Sequence, residues 1–392
     1  MRMFKHYNAL TMLTGFMSAL PDPVRIIMTN GIRKTFGRAL QIYSQGLNGS
    51  IVKLGKKEAN AAAEAVDMIT GHRAMMFSDI RDMYAIGSKA ESMIGKTSHF
   101  NFMYVNMMSR WTEYWKSIGG TIIGSRILED SLVWARGGKL SDKWKTALAA
   151  SGIDANMAER IARQYKKYGT KGKNILIAQT DLWDDAKAVK HYRAAMNKDI
   201  NRTIVTPTLG DTPLWMSTEL GSTIAQFKKF VMAANQRMLM RGLQERDTEF
   251  LMGSLMLLGS GMMIDALYTY TRFEKDWGKK PFMDKLLSAF DRSGLGGIYY
   301  DINRAIESLS DNRIGIRPII GANKPYSNSF KSKIGNVGGP TAGQIANIFD
   351  IIYDVGSGGY NHYTARNVRR LIPFQNIWYL DWLFDDIEKG LR

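Results

Sequence analysis

The sequence predicts an all-α protein, an elongated multi-helix assembly with a Gly-rich irregular segment near 288–343. Three observations carry this. Apolar residues recur at helical spacing along most of the chain, and sustained strand alternation is nearly absent. Capping residues, glycines and prolines punctuate those periodic runs. The 392 residues are 45% hydrophobic, enough to bury a sizeable core instead of staying disordered.

The N-terminal half is a series of capped helices. MRMFKHYNALTMLTGFMSALPDP sets Arg2 and Lys5 before an apolar run from Ala9 to Leu20. A secretory leader needs small residues at both cleavage positions; Ala19 supplies one, but Met17 is too large for the other. The stretch therefore reads as a retained amphipathic helix. In the next helix Pro23 suits the first turn. Val24, Ile27, Ile32, Phe36 and Leu40 roughly share a face, with Arg25, Arg33, Lys34 and Arg38 around it. KKEANAAAEAVDMIT is a strong helix former. SHFNFMYVNMMSRWTEYWKSIGG has Ser98 to cap it and a Gly pair to end it. Its rings, Phe100, Phe102, Tyr104, Trp111, Tyr114 and Trp115, are too many for a narrow stripe, so a second surface must cover them. SDKWKTALAASG and DANMAERIARQYKKYG form a helical hairpin, each arm closed by Gly. TDLWDDAKAVKHYRAAMNKDINRTIV ends before TPTLGDTP, where Pro207 and Pro213 bracket a turn. That turn divides an N-terminal helical region, 1–206, from a C-terminal helical region, 207–392.

The second region begins with Leu220, Ile224, Phe227, Val231, Ala234 and Met238 on one helical face. FLMGSLMLLGSGMMIDALYTYT follows, an apolar helix over 250–271 whose single charge is Asp265. Gly253, Gly259 and Gly261 weaken it as an isolated helix but permit close packing. Asp265 is costly in lipid unless it faces a partner or a wet channel. The expectation is a packed core helix in one state and a membrane-inserted helix in another. DRSGLGGIYYDINRAIESLSDN holds one short helix, and a long loop covers 310–340. Pro340 then restarts a helix with Ile345, Ile348, Phe349 and Ile352 on one side. Phe374, Trp378 and Trp382, four apart, form the stripe of an aromatic C-terminal helix.

Charge and chemistry narrow the function. A net charge of +17 favours a polyanion: nucleic acid, anionic lipid or an acidic protein. The absence of cysteine excludes disulfides and thiolate metal sites. The 24 methionines suit surfaces that repack against different partners. No two of the five histidines pair at metal-ligand spacing, and no cofactor is expected. GSKAESMIGKTS fails as a phosphate loop because Ala90 stands where the first glycine belongs. SGLGGIYYD lacks the strand and spacing of a dinucleotide loop. Glu307-Ser308 matches the catalytic Glu-Ser pair of lytic transglycosylases, but GQIAN and GGYNHY are only faint echoes of the stretches that should follow, and Glu307 reads as part of a solvated helix face. No nucleophile elbow stands out. The sequence does not read as an enzyme.

Basic residues interleaved with rings make Arg33, Lys34, Arg38, Lys166, Lys167, Lys228, Lys229, Arg369 and Arg370 the candidate polyanion contacts. Leu251, Leu255, Leu258, Met262, Asp265, Phe374, Trp378 and Trp382 are the candidate membrane or assembly contacts.

Four segments, YNALTMLTGFMSALPDPVRIIMTNGIRKTFGRAL, PLWMSTELGSTIAQFKKFVMAANQRMLMRGLQERD, DRSGLGGIYYDINRAIE and VRRLIPFQNIWYLDWLFD, resemble in order the C-terminal region of large internal virion proteins of short-tailed bacteriophages. These are the core or ejection proteins. The resemblance implies storage inside the capsid near the portal, passage through the tail, and reassembly in the host envelope as a DNA conduit. It implies as partners further copies of the chain, other core or portal proteins, phage DNA and host inner-membrane lipid. Some larger members carry an N-terminal lytic transglycosylase domain; this chain is much shorter and lacks convincing motifs of it. The alternatives are a soluble nucleic-acid-binding structural protein and a murein-degrading lytic transglycosylase.

Overall fold

The structure is a computed structural model that describes residues 2–12, 20–31, 35–39, 42, 50–62, 93–94, 96–97, 105, 108–203, 213–225, 232, 248–271, 277–323, 330–377 and 380–391. Among them the architecture is helical, with one short ribbon, as the periodicity requires. Arg33, Lys34, Lys228, Lys229, Trp378 and most of the turn between Pro207 and Pro213 lie outside the described residues.

Among the described residues before 204, the bounded helices are α1 (Arg2–Met12), α2 (Asp22–Asn30), α3 (Ser50–Ala62), α4 (Met108–Ala135), α5 (Asp142–Ala150), α6 (Ala155–Tyr168) and α7 (Ala186–Thr203). The long α4 is the axis, and α2, α3, α6 and α7 pack along it. Ile123, Ile127 and Leu128 of α4 form the main core with Ile153, Met157, Ile161, Tyr192, Met196 and Ile200. The Gly pair expected to end a helix near residue 120 lies inside α4 instead. A Cβ on Gly120 would lie 2.8 Å from Ala59 Cβ and 3.0 Å from Ile200 Cδ1. Gly124 is equally tight, with Tyr192 Oη at 2.8 Å. These glycines admit neighbouring helices, and that packing outweighs their low helix propensity.

The two Gly-closed helices form as expected, though each packs on α4 and not as a hairpin against the other: Asp154 caps α6 by accepting from Met157 N at 2.8 Å, and Gly152 takes φ +79° after α5. Between α6 and α7, β1 (Thr170–Lys171) pairs antiparallel with β2 (Leu176–Ile177). Ile175 and Ile177 join Ile26, Ile118 and Ile122 in a second core cluster. In α2 the buried side is Asp22, Arg25, Ile26, Met28 and Asn30, not the expected Val24–Ile27 face. Arg25 turns inward because Asp22 meets its guanidinium at 2.9 Å, both side chains being buried.

The later helices among the described residues are α8 (Glu219–Ile224), α9 (Thr248–Thr271), α10 (Phe282–Ser293), α11 (Gly297–Leu309), α12 (Ile316–Ile320), α13 (Phe330–Gly356), α14 (His362–Leu371) and α15 (Asp381–Gly390). Three expectations are corrected here. The segment 288–343 is largely helical. Gly294 in the left-handed region (φ +75°) closes α10 tightly enough for α11 to start three residues later. The long loop over 310–340 is replaced at both ends: a turn with left-handed Asp311 and Asn312 leads into α12, and α13 already runs from Phe330 through Pro340. The C-terminal aromatic stripe is broken. Pro373 forces Ile372 to be extended, so α14 stops, and Phe374 (φ +67°) reverses the chain. Its N–H is held by Leu10 O at 2.9 Å. Trp382 therefore sits on a separate helix, α15.

Polar side chains tie α1 to this region. Asn8 donates to Thr341 Oγ1 at 2.8 Å, Gln344 to Thr11 Oγ1 at 2.9 Å, and Gln375 to Thr11 O at 2.9 Å.

Candidate functional site

The apolar helix is packed along one seam only, not enclosed as a core helix. Gly253, Leu257, Gly261, Ile264, Asp265 and Thr269 are buried, a helical stripe. A Cβ on Gly253 would lie 2.5 Å from Met28 of α2, and one on Gly261 would lie 2.1 Å from Ala289 O of α10. Gly259 has nothing within 4 Å and serves no such approach. Away from the seam Leu251, Met252, Leu255, Met263, Leu267 and Tyr270 are exposed. The stretch Phe250–Tyr270 is long and apolar enough to cross a bilayer, and only 28% of it is buried. Among the expected contacts, Leu251 and Leu255 are exposed, Leu258 and Met262 half-buried, and Asp265 buried.

Asp265 has its partner inside the chain. Arg292 Nε of α10 donates to Oδ1 at 2.8 Å, and Trp277 Nε1 donates to Oδ2 at 3.0 Å. The Arg292 guanidinium also lies 4.2 Å over the Tyr268 ring. The carboxylate is thereby paired and hydrogen-bonded, which a buried charge requires. Neither Trp277 nor Arg292 was legible as a site residue. The only sequence signal was an unexplained charge in an apolar run.

Other apolar faces are uncovered. Tyr299, Ile302, Ile306 and Leu309 form an outward stripe on α11. On α13 the expected stripe of Ile345, Ile348, Phe349 and Ile352 exists and is exposed, with Tyr353 beside it. Phe374 is half-buried and Trp382 exposed, on different elements.

The described basic candidates are not gathered into one patch. Arg38 is buried against Glu129 at 2.7 Å, and burial pulls its pKa down. Lys166 is exposed on α6. Its neighbour Lys167 donates to Asp184 at 2.7 Å, a bond that raises the lysine and holds Asp184 at about 2. Arg369 is half-buried between Asp385 and Glu388 of α15, and Arg370 is exposed beside it. Glu307 is not on a solvated face: it is buried, accepts from Asn303 Nδ2 and Arg317 N at 2.8 Å each, and faces the Arg317 guanidinium at 3.6 Å. The turn at Gly315 (φ +142°) brings Arg317 there, since a Cβ on Gly315 would strike Glu307 Cγ at 2.3 Å.

Comparison with models of known families, with characterised proteins and with solved structures finds no match for the chain.

Proposed function

We propose that this chain is a non-enzymatic internal virion protein of a short-tailed phage. It oligomerises near the portal, leaves the capsid and helps form a conduit for DNA across the host envelope. One observation carries the reading: a helix of membrane-spanning length keeps most of its apolar surface uncovered. The segments that resemble ejection proteins in sequence order, the net charge of +17 and the absence of cysteine agree with it.

The uncovered strips of α9, α11 and α13 supply apolar area for partner copies or lipid. The uncharged run 250–264 measures about 22 Å, short of a hydrocarbon core of about 30 Å. Asp265 would thus travel near one interface, its charge already neutralised by Arg292, so α9 and α10 would enter as a pair.

The test is Leu255→Arg with Met263→Arg, both exposed at the surface so that the fold is kept. The expected result is loss of vesicle flotation by the protein and of genome delivery by particles carrying it. Retention of both activities refutes the reading. Salt-dependent DNA binding without vesicle binding points instead to a soluble nucleic-acid-binding protein.

A further inference from the structure

Between α9 and α10 the chain passes through a 3-10 segment, Trp277–Lys279, that side chains of both helices hold in place. Asp265 holds the Trp277 indole by its N–H at 3.0 Å. Lys285 of α10 sets its Nζ 4.6 Å above the same ring and donates to Gly278 O at 3.0 Å. Lys280 donates to Thr269 Oγ1 at 3.3 Å, which ties the corner to the end of α9. Lys279 is exposed, and Phe282 and Met283, at the first turn of α10, are 64% and 45% exposed. Tyr270 ends the exposed strip of α9 close by in sequence, 59% exposed.

A fixed indole, clustered lysines and protruding apolar side chains are the parts of a membrane–water interface. Rings sit at headgroup depth, ammonium groups reach phosphates, and apolar tips enter the acyl boundary. The charge is complementary: residues 272–285 hold five basic and three acidic residues. Of the acids, Asp284 already accepts two bonds from Asn323, at 2.9 and 2.7 Å. A duplex nucleic acid would use the lysines but not an exposed Phe-Met pair, so the arrangement favours lipid.

We propose that the Trp277–Met283 corner docks on an anionic bilayer, with Lys279 and Lys280 on lipid phosphates and Phe282 and Met283 in the acyl boundary. This rests on the envelope reading above and adds to it the point of first attachment.

The chain has no cysteine, so a single one can be introduced and labelled. Met283→Cys carrying an environment-sensitive fluorophore is mixed with phosphatidylcholine vesicles, with and without phosphatidylglycerol. Asn156→Cys, exposed on α6, is the control. The expected result is a blue shift at 283 with the anionic vesicles alone and none at 156. In the otherwise native chain, Lys279→Gln with Phe282→Ser weakens anionic-vesicle binding at least ten-fold, about five-fold of it from the lysine. An unchanged label on vesicles that still float the protein overturns the corner while leaving the envelope reading standing. An equal shift on neutral vesicles, or one with duplex DNA instead of vesicles, also overturns the corner. Failure of the native chain to float on any vesicle overturns both proposals.

Discussion

Two glycines of α9, two positions apart, should respond to the same substitution with opposite signs. Replacing a helix-interior Gly by Ala gains about 1 kcal/mol of helix propensity. At Gly259 nothing lies within 4 Å of the added methyl, so Gly259→Ala keeps that gain and stabilises by about 0.5–1 kcal/mol. At Gly261 the methyl would lie 2.1 Å from Ala289 O, 2.9 Å from its C and 3.2 Å from its Cα. A backbone carbonyl cannot swing aside as a side chain can. To restore contact distance α10 must retreat by about 1 Å, which loosens the seam at Leu257. The same retreat stretches the 2.8 Å bond from Arg292 to Asp265. Overpacking costs about 1–3 kcal/mol and the strained charged bond about 1 more, so after the propensity gain Gly261→Ala should destabilise by about 1–3 kcal/mol. Urea unfolding followed by circular dichroism measures the two variants. Hydrogen exchange across 253–269 locates the effect, with faster exchange expected only in Gly261→Ala. Equal or greater stability of Gly261→Ala relative to Gly259→Ala would show that α9 and α10 do not meet as described.

Arg292→Met strands the buried Asp265 carboxylate with one remaining donor, and should cost about 2–4 kcal/mol, since Arg292 is itself partly exposed. Adding Asp265→Leu should recover most of that loss in a double-mutant cycle; strictly additive losses would mean the pair is not coupled. Part of the acid limb of stability should arise at the start of α7. Asp185 is held at about 2, chiefly by its hydrogen bond from Arg160. Its folded pKa lies below the unfolded value of about 3.9, so its contribution is present above that pH and lost as pH falls toward 2. Asp185→Asn keeps a capping side chain for the Lys187 and Ala188 N–H groups but should flatten the urea-midpoint decline between about pH 4 and 2. An unchanged decline would place the acid sensitivity elsewhere.

Much of the secondary structure was legible because its signals are local. Asp154 and Gly152 around α5 and α6, Pro23 in α2, and the uninterrupted apolar run of α9 all act within a turn or two of the chain. The misreadings share one cause. Gly120, expected to stop a helix, sits inside α4 because Ala59 and Ile200, far away in sequence, fill the space a side chain would take. Arg25, placed around an apolar face, and Glu307, read as solvated, are each buried against an opposite charge. The Phe374–Trp382 spacing suggested a helical stripe, but Pro373 acts on Ile372 and the stripe never forms.

The sequence by itself determined the helical class, the strong positive charge, the freedom from disulfides and the presence of one helix apolar on every side. These follow from composition and short-range periodicity, which need no partner to be read. Only the tertiary structure decided which side of α9 is covered, since that depends on where Met28 and Ala289 come to lie. It also decided that Asp265 is paired with Arg292 and Trp277 rather than left bare. Burial and charge pairing are relations between distant segments, and a helix uniform in hydrophobicity carries no internal sign of which face its neighbours will take.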